Sequence, residues 1–105
     1  MFETFSDANF EEKVIRSEKL AVVDLSAEWC GPCRTVSPII HELEAEYSGR
    51  IVAGELNVDD NPSVTAKYRV RNIPTVLFFK KGEVIDKQVG AMPKATYKAL
   101  IEKHI

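Results

Sequence analysis

Only two cysteines occur among 105 residues, Cys30 and Cys33, with two residues between them. So short a loop removes little entropy from an unfolded chain, and the pair cannot brace the fold as a long-range disulfide would. Histidine is as scarce, with only His41 and His104. The four side chains match no familiar zinc-finger spacing, and a single-chain iron–sulfur cluster usually needs four thiolates, so no metal site is expected. No apolar run approaches the roughly 20 residues that span a membrane. Met1-Phe2-Glu3-Thr4-Phe5 lacks the basic segment and apolar stretch of an export signal. A cytoplasmic location is therefore expected, where disulfides are seldom structural and a dithiol can cycle between redox states. Lys and Arg number 14 against 16 Asp and Glu, a net charge of -2. That balance carries neither the basic excess of a nucleic-acid binder nor the bias of a disordered chain. Without repeats or linkers, residues 1–105 read as one domain, expected as a monomer.

Hydrophobic spacing supplies the elements. Ser6 or Asp7 can cap a first helix bearing Phe10, Val14 and Ile15. Leu20 to Ala27 reads as a strand apolar on both faces, the kind covered by helices on either side. A long helix is expected from about Pro32, with Val36, Ile39, Ile40, Leu43 and Tyr47 on one face and Gly49 as its stop. Ile51 to Val58 reads as the next strand, and Asn61-Pro62 as the cap and first turn of a short helix ending near Tyr68. Thr75 to Phe79 and Val84 to Val89 form a hairpin around Lys80-Lys81-Gly82-Glu83, with Phe78 and Phe79 on opposite faces. A last helix, about Lys94 to His104, buries Tyr97, Leu100 and Ile101. The expected class is α/β, a three-layer sandwich with a central mixed sheet flanked by helices.

Trp29-Cys30-Gly31-Pro32-Cys33 places the cysteines at the start of the long helix. A cysteine there sees the positive end of the helix dipole and unpaired N–H groups, which favour its thiolate. Cys30 is expected to be the exposed sulfur, with Cys33 one turn in and more shielded. Gly31 and Pro32 make the turn, Pro32 with a fixed φ suited to a helix start. Asp24 interrupts an apolar strand; the pattern alone leaves it either at a strand end in water or buried. His41 is expected on the surface or partly covered, and His104 at a helix C-terminus where a cation suits the dipole. Arg69 and Arg71 read as a solvated loop or partner rim.

A strand running into Ala27-Glu28-Trp29-Cys30-Gly31-Pro32-Cys33, with Asp24 before it and Arg71-Asn72-Ile73-Pro74-Thr75 and Val89-Gly90-Ala91 after it, resembles the thioredoxin family over nearly the whole chain. The resemblance implies the thioredoxin fold and a protein-disulfide reductase with no bound cofactor, only a redox-active Cys30–Cys33 disulfide. In that reading Cys30 attacks a substrate disulfide and Cys33 resolves the mixed disulfide. Asp24 lies beneath the pair and accepts the proton of Cys33, while the Gly31-Pro32 spacer biases the pair toward giving electrons. The Ile73–Pro74 bond is expected to be cis, and Trp29, Gly31, Pro32, Ile73, Pro74, Gly90 and Ala91 form a docking surface for extended segments of disulfide-containing proteins. Implied partners are those substrates and a thioredoxin reductase, with neither nucleic acid nor membrane. Two departures touch the site, Glu55 where the family commonly has lysine and Ser26 where many bacterial members have tryptophan; Glu55 is expected to raise the pKa of Asp24. Met92-Pro93 replaces the more usual polar cap after the glycine. The alternatives are an oxidase or isomerase using the same chemistry, and a non-catalytic binding subunit using the same surface.

Overall fold

Seven consecutive residues, Leu20 to Ser26, are all buried, and the other elements are arranged to cover them. The computed structural model describes residues 1–105. It forms β1 (Glu3–Phe5), a π-helical segment (Glu11–Ile15), β2 (Leu20–Ser26), α1 (Cys33–Glu46), β3 (Ile51–Asn57), α2 (Pro62–Lys67), β4 (Thr75–Lys80), β5 (Glu83–Val89) and α3 (Lys94–His104). The strands lie in the order β1-β3-β2-β4-β5. The β1, β3 and β2 strands run parallel, while β4 is antiparallel to both β2 and β5. This is the expected α/β sandwich around a mixed sheet.

Alternation along the strands divides the core in two. Leu20, Val22, Ile51, Ala53 and Phe78 pack against Val36, Ile40 and Leu43 of α1 and Tyr97 and Ile101 of α3. Ala21, Val23, Leu25, Leu56 and Phe79 form the opposite core with Phe10, Val14 and Val64. Phe78 and Phe79 therefore serve opposite faces, as their position in one strand requires.

The β1 strand is not foreshadowed by periodicity, being only three residues long. Its trace in the sequence is Gly54. A Cβ there would run into the Glu3 backbone carbonyl across the parallel ladder, so glycine is what lets β1 pair. In β5 the register slips between Phe78 opposite Asp86 and Phe79 opposite Val84. This leaves Ile85 as an extra residue, and Val84 and Ile85 are both exposed.

The helix caps also differ from expectation. Ser6 closes the turn ahead of the π-helical segment, where the Asn9 N–H donates to Ser6 Oγ at 3.2 Å and the Ser6 N–H donates to Asn9 Oδ1 at 2.8 Å, while the segment itself begins after Phe10 with no side-chain cap. Asp7 serves another helix. Its carboxylate accepts the N–H groups of Ser63 at 3.0 Å and Val64 at 2.9 Å, so α2 is capped by a residue 56 positions upstream of Ser63. Asn61 holds the N-cap position but makes no side-chain cap. Its amide donates to the Asn57 carbonyl and its oxygen accepts the Asp7 N–H. A carboxylate stabilises the positive helix end more than a neutral amide does. Asp7→Ala is accordingly expected to lower the unfolding free energy by about 1–2 kcal/mol. Urea denaturation measures this, and an unchanged midpoint would show that the remote cap contributes nothing.

Candidate active site

The buried β2 strand ends at Ser26 and hands the chain to Ala27-Glu28-Trp29, so that Cys30 arrives just ahead of α1. Cys30 and Cys33 are disulfide-bonded, with Cα atoms 5.4 Å apart. At the start of α1, Gly31 and Pro32 carbonyls take the N–H groups of Arg34, Thr35 and Val36. The Cys33 N–H instead donates to Cys30 Sγ at 3.2 Å. When the disulfide opens, this amide and the helix dipole act on the Cys30 sulfur, where they favour a thiolate. The expected contrast between an exposed Cys30 and a shielded Cys33 is not found, since the two residues are 3% and 2% exposed. The cause is packing: both join Ala27 in one cluster, with Val58 and Ile73 against it. The accessible neighbours are Trp29, Gly31 and Pro32.

Asp24 is fully buried. Its Oδ2 accepts a hydrogen bond from Ser37 Oγ at 2.6 Å, whereas Oδ1 is buried without a partner. Ser37 follows Cys33 by four residues on α1, which puts the hydroxyl on the same helix face as the cysteine. Burial pushes the Asp24 carboxyl up to about 6; the Ser37 hydrogen bond pulls it down, and the charge of Glu55 pushes it up further. Glu55 is the register partner of Asp24 across the parallel β2–β3 ladder. Beside them a cavity of about 570 Å³ opens, lined in part by Ser26, Cys33, Arg34, Ser37, Glu55 and Asn57. Ser26 and Glu55, the two departures read from the sequence, thus border the same opening.

The Ile73–Pro74 bond is cis, and Ile73 packs against the cysteine cluster. The Gly90 N–H donates to the Pro74 carbonyl at 2.8 Å. Gly90 has φ +88°, which only glycine adopts readily, and a Cβ there would meet nothing within the chain. Beneath this loop the buried Tyr97 hydroxyl donates to the Gly90 carbonyl and accepts the Met92 N–H, both at 3.2 Å. Burial raises the pKa of that phenol, and the charge of Asp24 raises it further. Trp29 is 70% exposed and held by one bond, its Nε1 donating to Asp59 Oδ2 at 2.8 Å. Ala91 follows Gly90 and is exposed.

Three contributors escaped the sequence reading: Ser37, the Tyr97 hydroxyl and Asp59. A hydroxyl between Val36 and Ile40, one turn beyond a cysteine, was the available sign for Ser37. Helical spacing marks Tyr97 only as part of an apolar face, and nothing in the sequence ties Asp59 to Trp29. Both histidines lie elsewhere. His41 stacks on Phe2 with ring centroids 4.7 Å apart, and His104 Nε2 lies 2.9 Å from Asp86 Oδ2. No three His, Cys, Asp or Glu side chains are grouped to hold a metal ion.

The buried carboxyl gives stability a defined pH dependence. Folded Asp24 binds its proton more tightly than the unfolded chain does, so its contribution is fully present below about pH 4 and is lost as pH rises through about 6. Asp24→Asn removes the charge and keeps an oxygen facing Ser37. The variant should be more stable than the parent by up to about 3 kcal/mol above pH 6, with the advantage fading toward pH 4. Urea midpoints across this range measure it, and a difference independent of pH would contradict the buried charge.

Comparison with known proteins places this geometry. The thioredoxin family model matches residues 1–103. Thioredoxin M-type, chloroplastic, of Pisum sativum is 51% identical over 100 residues, which cover 95% of this chain and 58% of that protein. The chain therefore spans less than two thirds of that relative. Thioredoxin 2 of Chlorobaculum tepidum is 43% identical, with 95% and 92% covered, and a thioredoxin of Synechocystis is 44% identical, with 95% and 94% covered. The disulfide thus sits in a chain that matches the family model over residues 1–103, and the protein belongs to the thioredoxin family of thiol–disulfide oxidoreductases, with the cysteine pair as its redox group.

Proposed function

We propose that this protein is a general protein-disulfide reductase in which Cys30 attacks and Cys33 resolves. The observation that carries this reading is the Cys33 N–H held on Cys30 Sγ at the mouth of α1, with the Asp24 carboxyl buried under the same helix. The Cys30 thiolate attacks one sulfur of a substrate disulfide, forming a mixed disulfide and releasing the other sulfur as a thiolate that takes up a proton. The Cys33 thiol then gives its proton to Asp24, whose Oδ1 has no other partner, and attacks Cys30 Sγ. The Cys30–Cys33 bond forms, the second substrate thiolate leaves and is protonated, and two electrons have passed to the substrate. A carboxyl poised near 6 suits a base that must take and return a proton near neutrality.

Trp29, Gly31, Pro32, Ile73, Pro74, Gly90 and Ala91 serve as the docking surface. A Cβ at Gly90 would point into open space rather than into the chain, which leaves room for an extended substrate backbone beside Pro74. Re-reduction is assigned to a thioredoxin reductase and the working compartment to a reducing one such as the cytoplasm. The Gly31-Pro32 spacer supports the reducing direction over an oxidase or isomerase.

Cys33→Ser is expected to accumulate mixed disulfides at Cys30 with a model protein disulfide, and Cys30→Ser to abolish the reaction. Mass spectrometry of the trapped species and turnover with the parent protein test this. A strongly oxidising equilibrium with glutathione would overturn the reductase direction. Full retention of function in Cys30→Ser/Cys33→Ser would instead assign a binding subunit.

A further inference from the structure

The face of the sheet under α1 changes character along its length. On that side β2 presents Leu20, Val22, Asp24 and Ser26, and its register partner β3 presents Ile51, Ala53, Glu55 and Asn57. The first two residues of each strand belong to the apolar core. The last two are polar and lie at the carboxyl ends of parallel strands, beside Thr4 of β1, which is in register with Glu55. Ser26, Glu55, Asn57 and Thr4 all line the 570 Å³ cavity with Cys33 and Ser37. That volume is ample for water, which occupies roughly 30 Å³ per molecule in the liquid.

Asp24 does not reach this space by itself. It is fully buried and is not among the residues that line the cavity. A proton taken from Cys33 must nevertheless leave before the next cycle, and return when the disulfide is reduced. The groups facing Asp24 are few. From α1 comes the Ser37 hydroxyl, already donating to Oδ2, one turn after Cys33 on the same helix face. From α3 comes Tyr97, whose hydroxyl is engaged by Gly90 and Met92. The β4 partner is Val76, which is apolar. From β3 comes Glu55, a carboxyl that is half-buried, in register with Asp24 and open to the cavity. Its own titratable or charged neighbours are Asp24 and, around the cavity, Cys33, Arg34 and the exposed Glu28; Glu3, on the edge strand β1, is paired with Lys13.

We propose that Glu55 carries protons between the buried Asp24 and solvent in the cavity beside Cys33, so that the second carboxyl of the β2–β3 ladder is the outlet of the resolving step. The proposal rests on Asp24 as the acceptor for Cys33. In the forward direction the Asp24 carboxyl gives its proton to the Glu55 carboxylate, which releases it to water; on re-reduction the same proton path runs inward. No electrons move in this step. Glu55 touches neither the substrate nor the sulfurs undergoing exchange, and it acts through Asp24.

The test is single-turnover oxidation of the fully reduced protein by a model protein disulfide, followed by Trp29 fluorescence from pH 5 to 9. Glu55→Gln keeps the shape and a polar group but carries no exchangeable carboxyl proton. It should lower the plateau rate of the resolving phase roughly tenfold, less than the hundredfold or more of a group that acts directly as general acid or base, because Glu55 acts through Asp24. Small diffusible acid–base buffers such as imidazole and formate should restore it, because they fit the cavity. Glu55→Asp, which retains the carboxyl, should keep most of the rate and guards against a merely structural loss. Asp24→Asn should slow the phase by itself, and Glu55→Gln should add nothing in that background. A shifted pH midpoint with an unchanged plateau would overturn the relay and leave Glu55 as a charge only, as would additive losses in the double variant. An Asp24→Asn protein that resolves at the parent rate would instead remove Asp24 as acceptor.

Discussion

A carboxyl group held entirely out of water on the central strand is the constraint around which the active end of this protein is arranged. Asp24 sits in register between Glu55 of β3 and Val76 of β4, with α1 across its face. An isolated buried carboxylate is expensive, and here a single hydroxyl, that of Ser37, compensates it directly. The apolar two-sided core supplies the stability that tolerates this, with β2 completely buried between α1 and α3 on one side and the Phe10, Val14 and Val64 cluster on the other. What the fold retains in exchange is a carboxyl pushed up by burial to about 6.

The sulfur chemistry is built from the same pieces. One end of α1 gives the Cys33 amide to Cys30 Sγ, and a turn later its Ser37 hydroxyl reaches Asp24. A single helix thereby fixes the position of the sulfurs relative to the carboxyl. The loop opposite is held with comparable economy: Tyr97 rises through the core of α3 to hold the Gly90 carbonyl, and the Gly90 amide holds Pro74. The apolar residues that shield the disulfide, Val58 and Ile73, come from separate segments on either side of α2. Both cysteines are consequently covered except along the rim where Trp29, Gly31 and Pro32 are exposed.

Much of this was legible in the sequence because it follows from short-range pattern. The two-sided apolar run of β2, the amphipathic face of α1 and the division of Phe78 from Phe79 each follow from spacing, and the cis Ile73–Pro74 bond and the approach of Glu55 to Asp24 followed from family resemblance. What was not legible depends on partners distant in the chain. Asp7, by position one of two candidates for a local cap, caps α2, and β1 is visible only through the space that Gly54 vacates. Cys30 is buried where its position at a helix mouth implies exposure, because sequence position says nothing of the Val58 and Ile73 side chains that pack against it. Ser37 and the Tyr97 hydroxyl were hidden for a related reason, since a polar atom on an apolar face acquires meaning only when its acceptor is known.

The proposed chemistry depends on the state of one carboxyl group. Carbon-13 detection of the Asp24 side-chain carboxyl, followed as the oxidised protein is titrated from pH 3 to 9, observes it directly. The structure predicts a midpoint at about 6. A midpoint near 3.9, the value of an ordinary solvated aspartate, would mean that the group is not held away from water, and would contradict its proposed role as the base for Cys33.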